Sequence, residues 1–171
     1  MRPLLAASRV TAWHVLDGVE LGETPEACLS PLAPNWRDAA ADRPIAGMLA
    51  AFAQSGGVAS GDEVACLLRH GSSQPISLLA RWIVARKVVS FSWRAQTLLP
   101  LFQFDFGGVA VKVCVQRVIA ELAPVFDDWD MAIWFAQPNS WLAGAAPADL
   151  VARDLPAVLE AARADRFIAK G

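Results

Sequence analysis

From residue 45 onward, the apolar positions fall mainly on a helical period. Ile45, Met48, Leu49 and Phe52 share one face, which predicts a helix over 45–52. Gly56-Gly57 closes it, because glycine takes the positive φ at which helices commonly end. Ser60 with Glu63 three residues on has the capping-box spacing, and Val64, Leu67 and Leu68 then give the apolar face of a second helix. After Gly71-Ser72-Ser73, Pro75 suits the first turn of a third helix, which runs through Ile76, Leu79, Ile83 and Val84 to about Arg86. The period then changes. Val88-Val89-Ser90-Phe91-Ser92-Trp93 is rich in strand formers, and Gln96 to Leu99 can pair back across the short Arg94-Ala95 connection.

Beyond Gly107-Gly108 the pattern reads as purely helical. Val111, Val115, Val118, Ile119 and Leu122 recur at helical spacing, and Pro124 stops that run. Asp127 or Asp128 can cap a helix carrying Trp129, Ile133 and Trp134, and Pro138-Asn139 breaks it. Pro147 and Pro156 mark two further helix starts. The last helix turns Val158, Leu159 and Ala162 inward and ends near Phe167. Residues 1–43 show no clear period. A short strand at Trp13 to Leu16 is the one element expected there, and Trp13 and Trp36 suggest that the arm packs.

The expected fold class is therefore mainly α, with a helix-turn-helix module carrying a small β-hairpin wing and followed by an all-helical module. The expected boundaries are an N-terminal arm over 1–43, the winged module over 44–108 and the helical module over 109–171. There is no internal repeat and no low-complexity segment.

Composition narrows the function. The 171 residues are 55% hydrophobic and only 19% charged. Such a chain tends to hide apolar surface against a partner or its own copy, so self-association is expected. No apolar run approaches the roughly 20 residues that span a bilayer. Ser8 and Arg9 interrupt the signal-like start Met1 to Ala7, which places the chain in the cytoplasm. The three cysteines, Cys28, Cys66 and Cys114, have neither a disulfide-framework nor a zinc spacing and are expected to be reduced thiols. The net charge is −2. Residues 59–116 carry 6 basic and 3 acidic side chains, while both flanks are acidic. That distribution permits a local phosphate-facing surface.

Catalytic chemistry finds little support. The only histidines, His14 and His70, have no Cys or carboxylate at ligand spacing, so no metal is expected. No nucleophile elbow, phosphate loop or dinucleotide fingerprint occurs, so no cofactor and no catalytic residue is assigned. Asp127, Asp128 and Asp130 could be paired carboxylates for acid–base work, but they sit where a helix N-terminus takes acidic residues. Arg81, Arg86, Lys87 and Arg94 lie on the third helix and the hairpin, where a winged module could meet DNA. Seven tryptophans in a chain without tyrosine would supply anchors if any is exposed.

Leu98-Leu99-Pro100-Leu101-Phe102-Gln103-Phe104-Asp105 resembles the P-x-F-Q-F-D segment that joins the halves of antitoxins with the Xre/MbcA/ParS toxin-binding domain. Leu79-Ala80-Arg81-Trp82 before the hairpin resembles the end of that family's helix-turn-helix. Trp141 to Leu150 resembles the L-x-G-x-x-P-x-x-L segment of its toxin-binding half. The resemblance covers residues 45–171. It implies a type II toxin–antitoxin partner whose toxin is usually a RES-domain protein that consumes NAD. Such an antitoxin blocks the toxin's cleft with its C-terminal part and often represses its operon through the helix-turn-helix half. Ile76-Ser77-Leu78-Leu79 departs from the family's polar recognition-helix run.

On that reading the toxin-facing residues are Trp141, Leu142, Arg163, Arg166, Phe167, Ile168 and Lys170. Phe167 and Ile168 would be apolar anchors, and the cations would meet an acidic rim. Phe167 could instead close the chain's own core. A DNA-binding regulator or accessory interaction protein without a cognate toxin is the alternative.

Overall fold

The computed structural model describes residues 43–171. Helix α1 (Arg43–Ala51) runs into a 3-10 turn (Phe52–Ser55) that stops at Gly56, whose φ of 104° lies in the left-handed region. Strand β1 (Val58–Ser60) follows, then α2 (Gly61–Leu67) and α3 (Pro75–Val84). Strands β2 (Phe91–Trp93) and β3 (Gln96–Pro100) form a hairpin. A second, smaller hairpin comprises β4 (Phe104–Asp105) and β5 (Ala110–Val111). The remainder is α4 (Val113–Leu122), α5 (Asp128–Ala136), a 3-10 turn (Ser140–Leu142), α6 (Pro147–Leu150) and α7 (Leu155–Lys170). The chain is mainly α with a small antiparallel sheet.

The local signals hold where they are local. The Ser60 hydroxyl accepts from the Glu63 N–H, and the Glu63 carboxylate accepts from the Ser60 N–H at 2.7 Å, a complete capping box. Asp127 caps α5 by accepting from the Asp130 N–H at 2.8 Å. The acidic triplet therefore begins a helix, as carboxylates do at the positive end of a helix dipole.

The three-stranded sheet has the order β1-β3-β2, all antiparallel, with Ala59 opposite Leu99 and Phe91 opposite Leu98. Two segments differ from the sequence pattern. Val58–Ser60 is a strand and not merely the approach to a helix. Val111 lies in β5, opposite Phe104, and not on the helix that begins at Val113. The smaller hairpin exists because Asp105 turns the chain at Gly107-Gly108, its carboxylate accepting from the Gly108 N–H at 3.1 Å.

Two cores hold the elements. The smaller joins β1, α2, α3 and the hairpins through Ala59, Val64, Leu68, Leu79, Leu99 and Phe104. The larger crosses the expected 108/109 boundary: Ile45, Met48 and Phe52 of α1 pack with Phe91, Leu98 and Phe102 and with residues from Val115 to Ala162. Phe102 stacks on Phe52 and tilts against Phe135, with ring centroids 5.8 and 5.2 Å apart. The first helix is thus built into the C-terminal bundle.

Gln103 pins the crossing point. It is fully buried, its Oε1 accepts from the Val89 N–H at 2.6 Å, and its Nε2 donates to the Val89 and Pro100 carbonyls, both at 2.8 Å.

Cys114 is a free thiol, but Cys66 is disulfide-bonded, which corrects the expectation of three reduced thiols. Spacing along the chain does not reveal which cysteines folding brings within bonding distance. The expectations for Trp13 to Leu16, His14, Cys28 and Trp36 lie outside the described residues. Among the described residues, no helix is long and apolar enough to cross a membrane.

Candidate functional site

The seven residues expected to face a partner lie on α7 and the 3-10 turn before α6, and the structure divides them. Leu142 is 6% exposed and belongs to the large core, so it supports the surface from beneath. Arg163 and Arg166 are paired within the chain at its surface: their guanidiniums reach the two oxygens of Glu121 on α4, at 3.1 and 2.7 Å. One carboxylate spaced to meet residues three apart on α7 fixes both cations along the α4–α7 seam. They are positioned groups and not free ones. Lys170 is exposed near the helix end.

The apolar members behave differently. Phe167 is 79% and Ile168 66% exposed, so Phe167 does not close the chain's own core. The last core residue of α7 is Ala162, and two further turns of helix run on beyond it. Trp141 is 60% exposed, yet it is not loose. Its indole N–H donates to Asp165 Oδ1 at 3.1 Å, and its backbone N–H donates to Asn139 Oδ1 at 2.8 Å.

Asp165 is the residue that the sequence left unmarked. Its other oxygen accepts from the Trp134 indole and from the Asn139 amide, each at 2.8 Å. One carboxylate on α7 therefore gathers two indoles and an amide from α5 and the following turn. Charge-assisted bonds of this kind are stronger than neutral ones. Ile168 follows Asp165 by three residues and so shares its side of α7. Sequence could have suggested Asp165 only as the lone acid among Arg163, Arg166 and Lys170.

The four cations expected at DNA also separate. Arg81 is exposed on α3, where its exposed neighbours are Ile76, Ser77, Ala80 and Val84. That helix face has one cation and little that reads a base edge. Lys87 is exposed. Arg94 stands at the hairpin tip with its guanidinium 4.3 Å from the Trp93 ring centroid, a stacking distance for a cation on an aromatic face. Both residues of that two-residue turn, Arg94 and Ala95, have positive φ (46° and 61°). A type I′ turn demands this, and Asn-Gly usually supplies it.

Arg86 is turned inward. Its guanidinium donates to the Ala123 carbonyl at 2.9 Å, to the Phe126 carbonyl at 2.7 Å and to Asp128 at 3.2 Å. It also ends α3. With φ at 49° it occupies the left-handed position, while Lys87 N–H reaches the Trp82 carbonyl and Arg86 N–H the Ile83 carbonyl. This is the Schellman pattern with arginine where glycine is usual. Arg86 is thus a clamp between α3 and the α4–α5 junction, and of the four cations expected at DNA the exposed ones are Arg81, Lys87 and Arg94.

Among the described residues, no group of three or more His, Cys, Asp or Glu could hold a metal ion. Neither a protein-family model, nor a curated protein, nor a solved structure matches the chain.

Proposed function

We propose that the chain is the antitoxin of a type II toxin–antitoxin pair and neutralises a RES-type, NAD-consuming toxin through a surface made by Trp141, Phe167 and Ile168. The observation that carries this reading is the far end of α7. Two large apolar side chains stand 79% and 66% exposed on a helix that has already left its core, and Ile168 lies on the side of that helix where Asp165 holds Trp141. Exposed apolar side chains grouped this way mark interaction surfaces. Holding the tryptophan beforehand lowers the ordering cost of binding. The identity of the partner rests on the resemblance around residues 98–105 and 141–150.

Operator binding is the second part of the proposal. The order α1, β1, α2, α3, β2, β3 supports a winged helix-turn-helix reading, with Arg81, Lys87 and Arg94 as phosphate contacts. The apolar outer face of α3 favours contacts to the DNA backbone over contacts to base edges.

The test is co-expression with an adjacent gene for a RES-type protein. Wild type should restore growth and co-purify with the toxin. Phe167→Ala with Ile168→Ala should lose rescue while keeping the thermal midpoint. Burying one such side chain contributes about 1.5–3 kcal/mol, so each substitution should weaken binding by about one to two orders of magnitude. A wild-type protein that neither rescues nor co-purifies overturns the reading. A double variant that rescues as well as wild type overturns the surface.

A further inference from the structure

A cavity of about 540 Å³ lies between the end of α3, the β2–β3 hairpin and the start of α5. Its size is within the range of small-ligand sites. The Ser90 hydroxyl lines it. Ser90 is only 6% exposed, and among the described residues its side chain has no hydrogen-bond partner. Its hydroxyl is therefore free to accept from or donate to a group that enters the cavity.

The surroundings define what that is. Asp127 and Asp128 line the cavity from the α5 side. Asp127 gives Oδ1 to the α5 cap and Asp128 gives Oδ1 to Arg86. Among the described residues, the second oxygen of each has no donor. The Arg86 guanidinium offsets the charge of Asp128, its ion-pair partner, so Asp127 leaves the rim with one net negative charge. Phe91 and Trp129 supply an aromatic wall, packed edge to face with centroids 5.5 Å apart. Ser92 and Thr97, directly opposite each other in the hairpin, add two more hydroxyls.

Among the described residues, the cavity also runs along a sheet edge that no further strand covers. β2 is outermost in the sheet, and Ser90, Phe91 and Ser92 all touch the cavity. Consecutive strand residues face opposite sides, so a space that meets three in a row lies at the edge. Trp93 and Gln96 flank the two-residue turn and form the hydrogen-bonded pair. Ser92 is then in a non-hydrogen-bonded pair, with its N–H and C=O directed outward.

Acceptors spread over several directions, a negative rim and an aromatic wall suit a planar cation with many N–H groups on an alkyl stem. Guanidinium has five such donors and stacks on aromatic rings. We infer that this cavity binds an alkylguanidinium group, with the cation between Asp127, Asp128 and Ser90 and the stem against Trp129 and Phe91. The group comes either from a free small guanidine or from an arginine in an extended segment that pairs with the β2 edge.

The test is titration of the full chain, followed by calorimetry and by amide chemical shifts of Ser90, Ser92 and Trp129. The probes are agmatine and a blocked five-residue peptide with a central arginine between threonine and valine. The control is the same peptide with citrulline, which has the shape without the charge. Arginine peptide and agmatine should both bind, and the citrulline peptide at least about tenfold more weakly, or 1.4 kcal/mol. A peptide tighter than agmatine assigns the group to a docked segment, and equal affinities assign it to a free small molecule.

Asp127→Asn keeps a good helix cap and should weaken agmatine severalfold with little change in thermal midpoint. Ser90→Ala removes a hydroxyl without a partner and should weaken binding while leaving stability intact. Absence of binding by both cationic probes, equal binding of the citrulline peptide, or unchanged affinity in both variants would overturn the inference. None of these outcomes depends on the antitoxin reading.

Discussion

Replacing Gln103 by methionine should test whether the segment joining the two cores is a structural lock. Methionine is close to glutamine in volume, so the change removes polarity and opens little space. It breaks three hydrogen bonds, of 2.6, 2.8 and 2.8 Å, and strands the Val89 N–H and two carbonyls in a site where Gln103 is 0% and Val89 1% exposed. Each bond contributes about 0.5–1.5 kcal/mol net, and a buried group left unpaired costs about 1–3 kcal/mol. Some relaxation or water entry will recover part of this, so the expected loss is about 3–4 kcal/mol. For a chain of this size that lowers the thermal midpoint by about 6–16 °C. Urea unfolding followed by tryptophan fluorescence measures it, as a lower midpoint concentration at unchanged slope. A loss below about 1 kcal/mol would show that the three groups find other partners, and the lock would be wrong.

Arg86→Ala should cost about 1–2 kcal/mol, because it removes the donors to Ala123 and Phe126 while its partly exposed ion pair adds little. Arg86→Gly should lie about 1 kcal/mol above Arg86→Ala, since glycine takes φ of 49° without strain. The reverse order, read from chemical melts, would refute the clamp geometry. Ala95→Gly should stabilise the chain by about 0.5–1 kcal/mol by relieving the second turn position, and a destabilised variant would exclude the type I′ turn. If operator DNA is bound, substituting Arg81, Lys87 and Arg94 together by alanine should reduce the slope of log affinity against log salt by about 2–3. An unchanged slope in a filter-binding series would remove that surface from consideration.

What the sequence made legible was local. Caps at Ser60 and Asp127, proline starts at Pro75 and Pro147 and the glycine stop at Gly56 each depend on residues within one turn. What escaped was short or distant. β1 has three residues and β4 and β5 two each, too few for an alternating pattern to stand out. Val111 fits the helical period because Val115 and Val118 follow it by four and seven residues, although its partner is Phe104 across a tight hairpin. Arg86 looked like a surface cation because its acceptors lie 37 to 42 residues away. The same distance hid Glu121 from Arg163 and Arg166. A stripe of cations three and four apart is visible in a sequence, but the carboxylate that claims two of them is set by which helices pack together.

The packing of α7 on α4 and α5 decides how a surface at its end should be probed. Cutting the chain after Ala162 is the obvious experiment from the sequence, because every core residue of α7 is retained. In the folded chain, however, the cut removes more than a tail. It deletes Arg163 and Arg166 and leaves Glu121 without its cations. It also deletes Asp165 and frees the Trp134 indole, the Asn139 amide and the Trp141 indole at once. Trp134 is 8% exposed, so its unpaired N–H carries a desolvation cost of about 1–3 kcal/mol. The truncated protein should therefore be less stable by about 2–4 kcal/mol and should lose the fixed position of Trp141. Loss of partner binding in it would not distinguish missing contacts from a released tryptophan. Phe167→Ala with Ile168→Ala touches none of these bonds. The pair of measurements separates the causes: a destabilised truncation beside a fully stable double variant would mean that the end of α7 both braces the bundle and presents the surface. A truncation as stable as wild type would mean that Asp165 braces nothing.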